Sequence, residues 1–257
     1  MEKFANYILS EKIYETRNSV IFRGHKETED QPLIIKLLKT TNPTSSEIAR
    51  FKQEYSLVKN LDIDNIIKIF DLVEYDNKYA IIEEDFGGLS LKDALRKKEL
   101  NLKSLLRISS KVSETLGLIH KSNIIHLDIK PDNILINPEK GEVKIADFGI
   151  SAVLTHANDE LYNPDVIEGT LSYMSPEQTG RMNRGVDYRT DIYSLGATIY
   201  EMLTGEVPFK SKDPMELIHS HIARQPLPPD HLNPSIPPVL SAIILRMLSK
   251  NPEERYQ

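Results

Sequence analysis

The segment HLDIKPDNIL, His126 to Leu135, brings an imidazole, carboxylates, an ammonium and a carboxamide together in one short stretch. Histidine, aspartate, lysine, proline and asparagine at those offsets would coincide by chance at roughly 1 in 10⁴ in a chain of this size. Pro131 fixes one dihedral and the charged residues interrupt two apolar runs, so the stretch reads as a rigid loop presenting an acid, a base and an amide. Fourteen residues after Asn133, Asp147-Phe148-Gly149 ends an apolar run on a turn that glycine permits. Two carboxylates and an amide oxygen are hard ligands of the kind magnesium takes, with phosphate oxygens and water completing an octahedron.

These groups need elements to hold them. The first 85 residues alternate β-branched and apolar runs around one helix, which predicts strands near Tyr7 to Ile13, Val20 to His25, Leu33 to Leu38, Ile66 to Glu74 and Lys78 to Glu83. The helix opens after Pro43-Thr44-Ser45, where a serine can cap it. Ile48, Phe51, Tyr55 and Val58 give it one apolar face, flanked by Glu54. Glu47 lies in its first turn, where the helix dipole accounts for an acid. Gly87-Gly88 breaks this pattern, and long helical periods follow. Leu102 to Lys121 repeats apolar residues on one face, Ile134 to Ile136 and Val143 to Ala146 are short strands, and Asp191 to Leu203 is apolar on most sides, as a central buried helix would be. A proline-rich tail alternates with further helices.

Composition narrows the rest. The chain has 257 residues, 40% apolar and 27% charged, enough for one or two domains with a sizeable core and ordinary for a soluble globular protein. Its longest apolar runs fall far short of a membrane span. Zero cysteine removes disulfides and thiolate chemistry, and MEKFANYILSEK is not a secretory signal, so the expected location is cytoplasmic. A net charge of −6 has the wrong sign for a nucleic-acid partner. His120, His156, His219, His221 and His231 have no carboxylate companions at metal-ligand spacing, and Arg181, Arg184 and Arg189 read as a solvated or ion-paired cluster.

From about Tyr7 to Arg255 the sequence resembles the protein kinase family. The resemblance implies an α+β, two-lobed fold: a small antiparallel sheet lobe over residues 1 to 84, a hinge at 85 to 88, and a larger mainly helical lobe over 89 to 257, possible truncation at its end included. It implies ATP and Mg2+ as cofactors and a protein substrate phosphorylated on Ser or Thr. Asp128 resembles the aspartate that accepts the hydroxyl proton, Asn133 and Asp147 the magnesium ligands, and Lys130 the lysine beside the transferring group. Lys36, in PLIIKLLK, resembles the strand lysine that holds the α- and β-phosphates, with Glu54 as partner. Glu84 and Phe86, in EDFGG, fall among the nucleotide-binding residues. Ser175-Pro176-Glu177 stands where the family has Ala-Pro-Glu, preceded by Gly169-Thr170 of the Ser/Thr type. Glu177 is expected to pair with Arg255, and Asp191 to cap the catalytic-loop backbone.

There are departures. With Ile21 at the family's valine, Tyr14, Thr16 and Ser19 occupy the three positions of the glycine-rich loop, and Gly24 is the only glycine before Gly87. Leu127 replaces an arginine that reads a phosphate on the activation segment, so activity is expected to survive alanine at Thr155 or Ser172. Glu83, or Ile82 after a shift of one, falls at the position guarding the back of the adenine pocket. Stretches such as YETRNSVIFRG and GTLSYMSPEQTGRMNRG resemble the kinase domain of large bacterial signalling proteins, in which it precedes an AAA-type ATPase, a GAF sensor and often a histidine kinase. The rival expectation is a pseudokinase that senses nucleotide or scaffolds such downstream domains. A small-molecule kinase is disfavoured by Ser175-Pro176-Glu177 and the helix at Asp191.

Overall fold

A computed structural model describes the chain except residues 1, 17, 41–42, 99, 154–169 and 183. Thr155, His156 and Gly169 lie outside the described residues.

Alternation of side chains builds the small lobe. Strands β1 (Glu2–Phe4), β2 (Tyr7–Glu15), β3 (Ser19–Lys26), β4 (Pro32–Leu38), β5 (Ile69–Tyr75) and β6 (Lys78–Glu84) form one antiparallel sheet in the order β1-β2-β3-β4-β6-β5. One face buries Leu9, Ile35, Ala80 and Ile82 with Phe4 and Tyr7. The other turns Leu38, Tyr79 and Ile81 toward Phe51 and Val58 of helix α1 (Ser45–Lys59). Gly24 packs the hairpin, since a Cβ there would lie 2.1 Å from the Ile8 carbonyl oxygen. The cap of α1 is Thr44 rather than Ser45: its hydroxyl accepts from the Glu47 amide at 3.2 Å and the Glu47 carboxylate accepts from the Thr44 amide at 2.8 Å. The dipole reading of Glu47 is thereby completed by a reciprocal capping box.

Below the junction, β7 (Leu89–Ser90) leads into α2 (Leu91–Lys97) and α3 (Leu102–Lys121). Helix α3 buries Leu105, Ile108, Val112, Leu116 and Ile119 on one face, and has the predicted bounds. Strand β8 (Ile124–Ile125) pairs with β11 (Ala152–Val153), while β9 (Ile134–Asn137) lies between β7 and β10 (Glu142–Ile145). These short pieces depend on tertiary pairing, and periodicity missed β1, β7, β8 and β11. Helix α4 (Arg189–Thr204) is buried nearly all round and ends on Gly205 at φ 78°. Around it follow α5 (Pro214–Ala223), α6 (Pro229–Leu232) and α7 (Pro238–Met247).

One stitch joins the lobes behind the cleft. Ile66 bridges Ile145 in parallel, with the Ile145 amide donating to the Asn65 carbonyl at 2.8 Å and the Ile67 amide to the Ile145 carbonyl at 2.9 Å. No helix among the described residues is long and apolar enough to cross a membrane.

Candidate active site

Strand β4 delivers Lys36 to the cleft. It lies opposite Ile21 of β3 and Ile81 of β6, so these three side chains leave the same sheet face. Only 6% exposed, Lys36 donates through Nζ to Glu54 Oε1 at 2.6 Å and Asp147 Oδ1 at 2.8 Å. Burial alone would depress this ammonium, but Asp147, Glu54 and Glu83 outweigh it and hold it above the ordinary lysine range. Glu54, 3% exposed on the inner face of α1, is pushed up by burial against the pull of Lys36, and it accepts the Phe148 amide. Asp147 moves the other way: Lys36 and Lys130 overcome its burial and hold it down at about 2. Its backbone sits at φ 65°, an uncommon conformation for a residue with a Cβ. A Cβ on Gly149 would come within 3.3 Å of Asp147 Oδ1 and 3.4 Å of Glu54 Oε2, so glycine lets this turn close on the carboxylates.

The loop before β9 holds the second group. Lys130 Nζ and Asn133 Nδ2 both donate to Asp128 Oδ2, the latter at 2.9 Å, and Lys130 also reaches the Thr170 hydroxyl at 2.8 Å. Burial raises the Asp128 carboxyl above its ordinary value, opposed by Lys130. Leu127, just before it, adopts φ 68°. Asp191 at the start of α4 holds that strained backbone by accepting the amides of His126 and Leu127, both at 2.8 Å, and also pairs with His120 at 2.8 Å. His126 is buried and depressed by that burial; its Nδ1 accepts the Asp128 amide, which assigns the proton to Nε2 facing the Ala146 carbonyl.

Glu83 rather than Ile82 occupies the back of the cleft. Alternation along β6 puts Ile82 in the opposite core, while Glu83 lines a narrow recess with Glu54, Val58, Ile69 and Phe148. Burial pushes its carboxyl up to about 8. The side chain of Glu84 is tied to Lys144 and to the Lys68 amide at 2.7 Å, and Phe86 is buried with Lys144 5.5 Å above its ring. Both side chains are engaged in the scaffold, and the Glu84 amide donates to the Lys68 carbonyl at 3.0 Å while the Phe86 carbonyl accepts from Asn137 Nδ2 at 3.5 Å, which leaves the Glu84 carbonyl and the Phe86 amide as the candidates for contact with a ligand.

Some supports escaped the sequence reading. Gln178 Nε2 donates to the Leu127 carbonyl at 2.8 Å, bracing the loop from the segment after Pro176. Lys144 braces the junction as described, and Arg23 of β3 reaches Asp85 at 2.7 Å. Each joins residues more than 50 positions apart, so no local signal marks it. In the arginine cluster, Arg184 pairs with Glu253 and Arg189 with Asp187, whereas Arg181 lies against Met215 Sδ at 3.6 Å.

Asp128 Oδ1, Asp147 Oδ2 and Asn133 Oδ1 have no hydrogen-bond partner among the described residues. Two acidic oxygens and one carboxamide oxygen, beside two ammonium groups, form a donor set that fits a magnesium-bound polyphosphate.

Comparison with known proteins agrees with this geometry. The family described as protein kinase domain matches residues 7–257. A probable serine/threonine-protein kinase of Clostridium perfringens is 35% identical over 258 residues, covering 98% of this chain and 36% of that protein. Serine/threonine-protein kinase PrkC of Bacillus subtilis is 34% identical over 89% of this chain and 35% of its own length. PknB of Mycolicibacterium smegmatis is 33% identical over 81% of this chain and 34% of its own. The chain spans little more than a third of these relatives.

Proposed function

The chain belongs to the protein kinase family, and from that premise we propose that it transfers the γ-phosphoryl group of ATP to Ser or Thr hydroxyls of a protein substrate in bacterial signalling. The observation that carries this reading is the convergence on Lys36, which bonds Glu54 from the small lobe and Asp147 from the large one, next to three carboxylate and carboxamide oxygens left without partners among the described residues. Lys36, oriented by Glu54, binds the nucleotide phosphates. Asn133 and Asp147 hold magnesium, which when bound neutralises phosphate charge. Asp128 orients the substrate hydroxyl and takes its proton as the oxygen–phosphorus bond forms and the bond to ADP breaks. Lys130 stabilises the oxygens of the moving group. The Glu84 carbonyl and the Phe86 amide offer the contacts at the base.

A cytoplasmic setting and regulation of further signalling domains complete the proposal, the latter supported by the resemblance of YETRNSVIFRG and GTLSYMSPEQTGRMNRG to multidomain bacterial proteins. Label transfer from γ-labelled ATP to itself or a generic protein is the test, run beside thermal stabilisation by Mg-ATP. Asp128→Asn is expected to lower turnover by about 10² to 10⁴ while leaving stabilisation intact. Stabilisation without transfer by the unaltered chain would instead favour the nucleotide-sensing pseudokinase.

A further inference from the structure

Between β2 and β3, the described amides of Thr16, Asn18 and Ser19 are already spent. Thr16 Oγ1 accepts the amides of Asn18 at 3.2 Å and Ser19 at 2.8 Å, and the Thr16 amide donates to the Ser19 carbonyl at 2.8 Å. Those N–H groups are therefore not available to cradle an anion in the way a glycine-rich turn does.

Tyr14 hangs beside them. The ladder shifts register between Lys12 and Tyr14, after which Tyr14 lies opposite Ile21, Ile21 opposite Lys36, and Lys36 opposite Ile81. Directly opposed residues share a face, so Tyr14 leaves the sheet on the side of Lys36, two strand spacings or about 10 Å away. It is 51% exposed, and its phenol has no partner among the described residues. Glu15 is opposite Val20 on the other face, where it pairs with Lys12 and Lys39, so its charge is kept off the cleft side. The next row on the cleft side, Arg23, Ile34 and Glu83, lies toward the lobe junction, where a base would sit; the row of Tyr14 and Lys36 is the one over the phosphates.

We propose that Tyr14 is a positioning residue that replaces the missing backbone cradle: its hydroxyl donates a hydrogen bond to a phosphate oxygen of the nucleotide held by Lys36. This rests on reading the cleft as an ATP site. A neutral donor on a charged oxygen makes one of the stronger hydrogen bonds, and a phenol reaches where a glycine amide is absent.

Calorimetric titration of the unaltered chain, Tyr14→Phe and Tyr14→Gly with Mg-ATPγS and with adenosine tests this. Phenylalanine is expected to weaken Mg-ATPγS about tenfold, leave adenosine unchanged and keep the melting temperature of the unaltered chain. Glycine is expected not to tighten binding, because the Asn18 and Ser19 amides remain committed to the Thr16 hydroxyl. Equal Mg-ATPγS affinity in the phenylalanine variant overturns the proposal, as does an equal loss for adenosine, which would put the ring on the base, or tighter binding in the glycine variant. If the unaltered chain binds no Mg-ATPγS, the ATP reading of the cleft falls first and this inference with it; binding that ignores Tyr14→Phe removes this inference alone.

Discussion

Lys36 serves two carboxylates at once, and a third, Glu83, stands in the same recess with no ion-pair partner of its own among the described residues. The consequence is a carboxyl that stays protonated near neutrality, raised from an ordinary 4.5 to about 8. In the unfolded chain the same group ionises near 4.5. The folded state therefore holds the extra proton between these values, and stability falls as pH rises from about 4.5 to about 8. Glu83→Gln removes that term. Its melting temperature is expected to match the unaltered chain near pH 4.5 and to exceed it at pH 8 by about 2–4 °C, on the order of 1 kcal/mol for a domain of this size, read from thermal scans across pH. Positions 128, 133 and 147 stand out in the sequence by their spacing, whereas Lys36 and Glu54 stand out only through the family resemblance and the apolar face that Glu54 flanks. Glu83 was legible only as one of two neighbours, since a single-residue shift exchanges the faces of a strand and periodicity does not fix the register.

At the scale of elements, the site depends on how well α1 holds Glu54. The Thr44 and Glu47 box fixes where that helix begins, and Glu54 lies three turns further on. Thr44→Ala is expected to cost about 1 kcal/mol in urea unfolding. It should also raise the KM for ATP more than it changes kcat, because a loosened helix orients Lys36 less firmly. Helices α3 and α4 could be read directly, since long amphipathic or apolar periods decide them. The cap could not, because Thr44 and Ser45 are both competent and only backbone geometry chooses. Nor could the brace of Asp191 onto strained Leu127 be derived from spacing; its place followed from family resemblance, and its partner His120 on α3 gave no local sign.

Across the whole molecule, one ion pair secures the segment following Thr170. Arg255 and Glu177, 0% and 1% exposed, meet through two bonds of 2.6 and 2.9 Å. Arg255 also donates to the carbonyls of Arg189 and Ser249, and Glu177 accepts the Thr190 hydroxyl, so both buried charges are satisfied. Arg255→Ala is expected to destabilise the chain by about 3–5 kcal/mol, seen as an earlier urea midpoint, because it strands a carboxylate in the interior. Pairing it with Glu177→Leu should recover part of that loss. The stitch at Ile66 and Ile145 sets how the halves can move. It lies two residues before Asp147, so it acts as the spine of a book: a rotation of the sheet over the helices about this bridge would displace Asp147 least. On the proposed function, nucleotide would be admitted and discharged at the fore-edge while the pages stay bound at the back.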